Sequence, residues 1–399
     1  MKALHLVKTA VGAAWVYHQV RVLCSLGIEV VVALPSATEG LAPLYQQAGA
    51  TVVPVKLDFR AHYLWRIPQV LAACRRLVDE VQPDLIHSHH VGTAFAVRGA
   101  LGKNSSLPRI FQVPGPLHLE YGAIAAVDTW LAGPQDYWIA TCHWTYRKYL
   151  ELGVKPQQLF LTYAGTNTRA FGHARSGVLR KELGIPEEVP LVGMVAYMYA
   201  PVWFLGQKEG LKGHEDFMIA LALARKIRPD IRGVIIGGPW GNAGWYERRL
   251  RDFGGRVCNG GFSFTGHRSD IPAIYPDLDL AVVPSHSENC GGALEPLLSS
   301  VPVVATNVGG LPDLIEDGRT GWLVPPHNPQ ALATAMLDAL RNREEAQRRA
   351  IAGRQRAEQL FDIEKVGAEV AAIYGNVLTR SRKSVSSEIE IKPMTMVDT

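Results

Sequence analysis

The part of this sequence richest in chemically capable groups is residues 284–298, PSHSENCGGALEPLL. An apolar strand is predicted to end at Pro284 and a helix to begin near Ala293, with Gly291 and Gly292 in the loop between them. Free N–H groups at a helix start favour an anion, and glycines let a diphosphate approach the backbone closely. The pattern therefore predicts a phosphate-binding loop.

Two carboxylates accompany the glycines: Glu288 lies in the loop and Glu295 lies inside the predicted helix. Carboxylates are good acceptors for paired hydroxyl groups, and a nucleotide sugar carries hydroxyls on both sides of its diphosphate. One glutamate could therefore face a ribose and the other a sugar. The residues alone leave an alternative open, in which Glu288 is a surface loop residue and Glu295 is an acid favoured by the helix dipole.

The composition favours two packed domains in a soluble, cytoplasmic protein. At 399 residues the chain exceeds what one hydrophobic core usually serves. A formal net charge of +4 is too small to indicate nucleic-acid binding. The five cysteines have no spacing typical of a metal site, which favours reduced thiols. The start of the chain lacks the apolar run of a signal peptide, and no apolar stretch is long enough for a membrane span.

Short apolar runs alternate with helical patterns, first through residues 3–88 and again from residue 190. In the first of these stretches a helix is predicted at 15–26 and a strand at 29–34. This rhythm predicts βαβ units and two consecutive doubly wound parallel sheets, which is an α/β fold. The expected parts are an N-terminal domain, a C-terminal domain, a final helix that could cross back to the first domain, and a disordered tail. Their predicted bounds are 1–170, 171–360, 361–379 and 380–399.

Several motifs resemble the retaining glycosyltransferases of family 4, which have the GT-B fold of two facing Rossmann-like domains. The resemblance rests on Glu288 and Glu295 together with residues 301–313, VPVVATNVGGLPD, and 317–324, DGRTGWLV. It implies an active site in the interdomain cleft, with Glu288 against the donor sugar and Glu295 on the ribose. The family usually places seven residues between these acids, and this chain has six.

The same resemblance implies that Lys212, in LKGHED, offsets the charge of the departing diphosphate. The family often has an arginine shortly before this lysine, in the register of Tyr197. This chain instead has an insertion at 200–210, in which Lys208 is a candidate replacement. The other implied donor-binding residues are Asn289, Cys290, Gly291, Gly292, Ala293, Gly237, Gly266 and Arg268, of which Arg268 could equally be a surface charge.

In the first half, Gly12 follows the first predicted strand, where relatives often have a glycine-rich turn. His118 follows another strand, where relatives place a residue against the donor sugar, and a surface histidine is the alternative. His87 and His89 match paired histidines of the family, and either could be a packing residue. Aromatic and basic residues mix at 59–67, which suits a membrane interface, a sugar-binding lip or ordinary helix packing.

The function that the resemblance implies is metal-independent transfer of a hexose-type sugar from a nucleotide-diphosphate donor, with UDP favoured, to a hydroxyl acceptor. No cofactor and no nucleic-acid partner are expected. The acceptor is either a small molecule or a lipid-linked glycan, and the second would bring peripheral contact with the inner face of the membrane. The alternatives are a nucleotide-sugar-binding GT-B protein without transfer activity and a nucleotide-sugar epimerase.

Overall fold

A computed structural model describes residues 1–57 and 64–390 of the chain. The chain divides into two compact units, each with its own parallel sheet. The first unit contains residues 1–114, 118–166 and 361–399, and the second contains residues 115–117 and 167–360. The change of unit near residue 166 lies four residues before the boundary expected from the sequence.

The first unit is built on a seven-stranded sheet in the order β3-β2-β1-β4-β5-β6-β7. Successive side chains of a strand point to opposite faces of the sheet. In the first strand, Ala3 packs in the core on one face and Leu4 in the core on the other. Both faces are thus covered, which explains the continuous apolar runs. The strands are β1 (Lys2–Leu6), β2 (Glu29–Leu34), β3 (Thr51–Pro54), β4 (Leu85–Ser88), β5 (Arg109–Phe111), β6 (Asp136–Ala140) and β7 (Leu159–Leu161).

Helices cover both faces of this sheet. They are α1 (Ala14–Ser25), α2 (Ala42–Gln47), α3 (Ile67–Val81), α4 (Val91–Leu101), α5 (Leu117–Glu120), α6 (Gly122–Trp130) and α7 (His143–Glu151), together with the last helix of the chain, α16 (Ile363–Glu390). Val16 and Val20 of α1 share a core with Val370 and Tyr374 of α16. The last helix is therefore part of the first unit.

The second unit is built on a six-stranded sheet in the order β10-β9-β8-β11-β12-β13. Its strands are β8 (Leu191–Val195), β9 (Arg232–Ile236), β10 (Phe262–Gly266), β11 (Leu280–Val283), β12 (Val303–Thr306) and β13 (Trp322–Val324). The chain reverses its direction of winding between β8 and β11, which lie side by side. In open α/β sheets a ligand binds at such a switch point, beyond the carboxyl ends of the strands.

The helices of the second unit are α8 (Val178–Leu183), α9 (His214–Ile227), α10 (Gly244–Cys258), α11 (Ile271–Ile274), α12 (Gly291–Leu298), α13 (Leu311–Leu314), α14 (Pro329–Arg341) and α15 (Arg343–Phe361). Short 3-10 turns occupy Leu64–Arg66, Pro156–Gln158, Thr168–Ala170, Trp203–Leu205 and Tyr275–Asp277. Helix α12 follows β11 directly, so its amino terminus lies at the switch point.

The end of the chain differs from the sequence-based expectation. Disorder was expected from residue 380, but α16 continues to Glu390, which corrects the prediction for residues 380–390. No glycine or proline interrupts residues 379–390, so nothing local ends the helix there. Across the described residues, no helix combines the length and the apolar character needed to cross a bilayer.

Candidate active site

The loop between β11 and α12 holds Glu288 against Lys212. The Lys212 ammonium lies 2.6 Å from Glu288 Oε2, and the Ser285 hydroxyl donates to the same oxygen at 3.3 Å. The backbone N–H of Asn289 donates to Glu288 Oε1 at 3.1 Å. Both carboxylate oxygens thus have donors, although the side chain is only 8% exposed. This satisfies the requirement that a buried charge be paired.

The ion pair keeps Lys212 charged. Burial lowers the pKa of the ammonium, but attraction to Glu288 and the hydrogen bond between them outweigh this and leave the pKa above its usual value. Lys212, which directly precedes Gly213 at the start of α9, therefore places a cation beside the β11–α12 loop, and a cation there suits a diphosphate.

Glycines fix how closely the surrounding backbone approaches this pair. Gly213, at φ +70°, follows Lys212, and a Cβ there would lie 2.0 Å from the carbonyl oxygen of Pro284. A Cβ on Gly309 would lie 1.8 Å from the carbonyl oxygen of Glu288. Neither contact is sterically possible, so only glycine lets these segments meet. The glycines of KG and VGG thus position the ion pair.

Glu295 lies one turn into α12 and is partly buried. Burial raises the pKa of its carboxyl from 4.5 to about 7. None of the described residues donates a hydrogen bond to its side chain. A desolvated carboxylate that is free to accept hydrogen bonds suits a ligand with paired hydroxyls.

These groups line one cavity of about 370 Å³ at the switch point of the second unit. The predicted residues that line it are Lys212, Gly237, Arg268, Glu288, Gly291, Gly292 and Glu295. Arg268 is held by Asp270 and Glu182, each at 2.7 Å. The structure thus gathers the predicted cation, carboxylates and helix-start glycines into a space that suits a small ligand.

Other predicted donor-binding residues lie beside the cavity lining. Cys290 caps the start of α12 and its thiol contacts the carbonyl of Gly310 at 3.2 Å. Ala293 is fully buried, and Gly266 ends β10 at φ +72°. Asn289 follows Glu288, and its buried side-chain oxygen has no partner in the described part of the chain. Lys208 is exposed and does not line the cavity, so the structure does not bring it into the place of the missing arginine.

An aromatic wall, formed by Tyr197, Tyr199 and Trp240, was not predicted from the sequence. Tyr197 and Tyr199 line the cavity, and the ring of Trp240 lies 4.9 Å from that of Tyr197. Tyr197 Oη lies 3.1 Å from His267 Nε2. The segments after β8 and β9 join through the N–H of Met198 and the carbonyl of Gly238, at 2.9 Å. The alternation of tyrosines around a buried methionine was the available signal.

Comparisons with known proteins agree with this architecture. Residues 12–165 match the family described as "Glycosyl transferase 4-like domain", and residues 201–342 match "Glycosyl transferases group 1". Together these matches cover most of the chain and both units. The chain belongs to the glycosyltransferases of the GT-B fold.

Among similar curated proteins, a D-inositol 3-phosphate glycosyltransferase of Thermobispora bispora is 27% identical, over 93% of this chain and 91% of its own. The D-inositol 3-phosphate glycosyltransferase of Corynebacterium kroppenstedtii is 34% identical, over 39% of this chain and 34% of that protein. The chain therefore spans only about a third of the latter. The Anabaena HepE structure with UDP and glucose has a TM-score of 0.77 at 21% identity, over 94% of this chain and 99% of that one, which shows the fold alone.

In the first unit of the glycosyltransferase, Gly12 has φ +78° in the turn before α1. His118 lies in α5, is 7% exposed, and its Nε2 lies 3.0 Å from the hydroxyl of Tyr149. It is thus a buried histidine of its own unit. Of the segment 59–67, residues 59–63 lie outside the described part of the chain, and Trp65 is 68% exposed.

The paired histidines, His87 in β4 and His89 just after it, belong to a buried cluster. His87 Nδ1 lies 2.6 Å from the hydroxyl of Tyr374, which lies 2.9 Å from His5 Nε2. His5 Nδ1 in turn lies 2.9 Å from His89 Nε2. All three histidines are fully buried, and burial lowers the pKa of each far below its usual range. This arrangement favours a packing role for the neutral rings.

Proposed function

We propose that this glycosyltransferase transfers a hexose from a nucleotide-diphosphate donor, UDP-hexose being favoured, with retention of anomeric configuration and without a metal ion. The observation that carries the proposal is the cavity at the start of α12. There the Lys212 ammonium and the free N–H groups near Gly291 can neutralise a diphosphate, while Glu295 is open to hydroxyl groups.

In this proposal the α12 amides and Lys212 stabilise the departing nucleoside diphosphate as the anomeric C–O bond breaks. An acceptor hydroxyl attacks from the same face, forms the new C–O bond and gives its proton to the leaving phosphate. Glu288 holds Lys212 in place and accepts from the sugar hydroxyls. Glu295 accepts from the ribose hydroxyls.

The charges in the described lining of the cavity support the proposal of metal independence. Glu288 is engaged by Lys212, and Glu295 lies a turn away along α12 with a raised pKa. The two are therefore better suited to hydroxyls than to a shared divalent ion against the diphosphate. The aromatic wall supplies stacking surface where a second cation was expected.

We propose two classes of acceptor, a small molecule and a lipid-linked glycan. The name of one similar protein, D-inositol 3-phosphate glycosyltransferase, favours testing a phosphorylated polyol as the small molecule. A lipid-linked glycan at the inner face of the membrane is the other class, and a cytoplasmic location suits both.

The test is incubation of the full chain with mixed nucleotide sugars and this acceptor library, followed by mass spectrometry of the products. We expect one sugar to be transferred, with the donor's anomeric configuration seen in the NMR coupling constant, and with activity that persists in excess EDTA. Inverted product, or activity abolished by EDTA and restored by Mg²⁺, refutes the mechanism. UDP binding without transfer or epimerisation supports the binding-protein alternative instead.

A further inference from the structure

We propose that Glu209, His286 and His327 form a binding site for a divalent transition-metal ion of the zinc class, beside the donor cavity. One ligand atom from each residue lies within 4.8 Å of the other two. The three residues come from separate segments of the second unit: the insertion before Lys212, the loop after β11, and the turn before α14. This site does not depend on the proposed function.

The donor set has the chemistry of a zinc site. Two imidazoles and one carboxylate bind Zn²⁺ and leave a position for water. The rings of His286 and His327 lie 3.7 Å apart and are inclined by 35°. Tetrahedral ligation at about 2.0–2.2 Å requires the three ligand atoms to draw closer. His327 is exposed, so its ring can turn without disturbing the core.

The backbone on either side of the site is anchored. Gly210, next to Glu209, donates its N–H to the hydroxyl of Tyr246 at 2.9 Å. The backbone N–H of His286 donates to the carbonyl of Leu211 at 2.7 Å. His327 has the strained left-handed value φ +55°, directly before the residue that caps α14. The backbone would therefore lose little conformational freedom when an ion binds.

A carboxylate behind His286 orients that ring. Asp216 Oδ2 lies 2.8 Å from His286 Nε2, which leaves Nδ1 for the ion. A carboxylate behind a ligating histidine fixes its tautomer and raises its basicity. Asp216 and Glu209 together can also offset the two positive charges of the ion.

The buried His5, His87 and His89 cluster also brings three possible ligand atoms together, but it lacks this charge balance. Its members are fully buried, and no carboxylate belongs to that group. A dication there would be desolvated without an anionic ligand, which is costly. The partly exposed site with Glu209 is therefore the better candidate.

The site does not form part of the cavity lining, although its neighbours in the chain do. Ser285 and Lys212 line the cavity, whereas Glu209, His286 and His327 do not. An ion would therefore brace the loop that carries Glu288 and would not touch a diphosphate in the cavity. Transfer in excess EDTA remains compatible with this site.

The experiment uses the metal-free full chain titrated with Co²⁺, followed by visible absorption, and with Zn²⁺, followed by calorimetry. We expect binding of one ion per chain. His327→Asn and Glu209→Gln should each weaken binding by at least about tenfold, and Asp216→Asn by about 10–100-fold. Asparagine is chosen at 327 because it tolerates left-handed backbone.

The matched control is His173→Asn, because His173 is an exposed histidine of the same unit whose Nε2 contacts the carbonyl of Ala170. It should bind both ions as the unchanged chain does, and circular dichroism should show that all variants are folded. Absence of binding, equal binding by the folded His327→Asn variant, or loss of binding in His173→Asn each overturns the proposal.

Discussion

Replacing Glu295 by glutamine should stabilise the free protein at alkaline pH while weakening its binding of UDP. Burial raises the pKa of this carboxyl from 4.5 to about 7, so the folded protein binds the proton more tightly than the unfolded chain. The free energy of unfolding therefore falls as the pH rises from 4.5 to about 7, and the loss is complete above that.

At about 1.4 kcal/mol for each pH unit, the loss is about 3 kcal/mol, and it is an upper limit because the carboxylate opens onto the cavity. Glutamine carries no charge, so the variant does not undergo this loss of unfolding free energy. Relative to the unchanged chain, Glu295→Gln should thus be more stable at pH 8 by up to about 3 kcal/mol, and this advantage should vanish near pH 4.5.

Binding should change in the opposite direction. If the ionised carboxylate accepts from ribose hydroxyls, its loss costs about 1.5–3 kcal/mol, or roughly 10–150-fold in the Kd of UDP at pH 8. The ratio of the two Kd values should shrink as the pH falls through 7, because the carboxylate of the unchanged chain becomes protonated. Because UDP itself titrates in the same way in both measurements, its titration cancels from the ratio of the two Kd values.

Urea unfolding across pH 4.5–8.5 and calorimetric titration with UDP measure both effects on the same samples. A stability difference that does not vary with pH would refute the burial argument. Equal UDP affinity of the two proteins at pH 8 would remove Glu295 from the donor site.

Three further substitutions test the surrounding geometry. Lys212→Ala should lower kcat about 10²–10³-fold at saturating donor, as measured by product formation, and an unchanged kcat would exclude its role with the diphosphate. Gly213→Ala should lower the free energy of unfolding by about 3–5 kcal/mol, because its Cβ would overlap the carbonyl of Pro284. Gly206 also has a left-handed backbone but open space around it, so Gly206→Ala should cost only about 1–2 kcal/mol. Equal losses in urea unfolding would contradict the steric argument. Trp240→Leu should raise the Kd of UDP by about 5–10-fold in calorimetry, because its ring packs against Tyr197 and Tyr199 of the cavity lining. Trp245→Leu, a tryptophan of similar exposure outside the aromatic wall, should leave the Kd unchanged, and the same Kd for both variants would count against a role of the wall.

Much of the fold followed from local patterns. The strand expected at 29–34 has those bounds in the structure, and the helix expected at 15–26 is shifted by one residue. Such elements are predictable because buried parallel strands are continuously apolar and glycines end helices. The strands β6 and β7 were missed, since the residues of β6 include Asp136, whose carboxylate is buried against Arg98 and Arg109. A single sequence gives no sign that such charges will be paired inside.

The candidate site was predictable in its parts and not in their pairing. The helix-start glycines and the acids were evident from residue types and spacing, and the cation from resemblance. That Lys212 binds Glu288, 76 residues away, could not be deduced, because it depends on β8 and β11 lying side by side. The exposed position of Lys208 and the aromatic wall were hidden for the same reason, since no periodicity describes an irregular insertion.

The sequence by itself determined the alternating α/β organisation, the glycine positions and the chemical types available for a donor site, since each depends on residues close along the chain. Only the tertiary structure decided which groups meet and in what protonation state. Strand order brings the loops after β8, β9 and β11 to one edge of the sheet. Burial then raises the pKa of Glu295, and the contact with Glu288 raises that of Lys212 against the effect of burial. Desolvation and charge pairing depend on distances through space, which the order of residues does not contain.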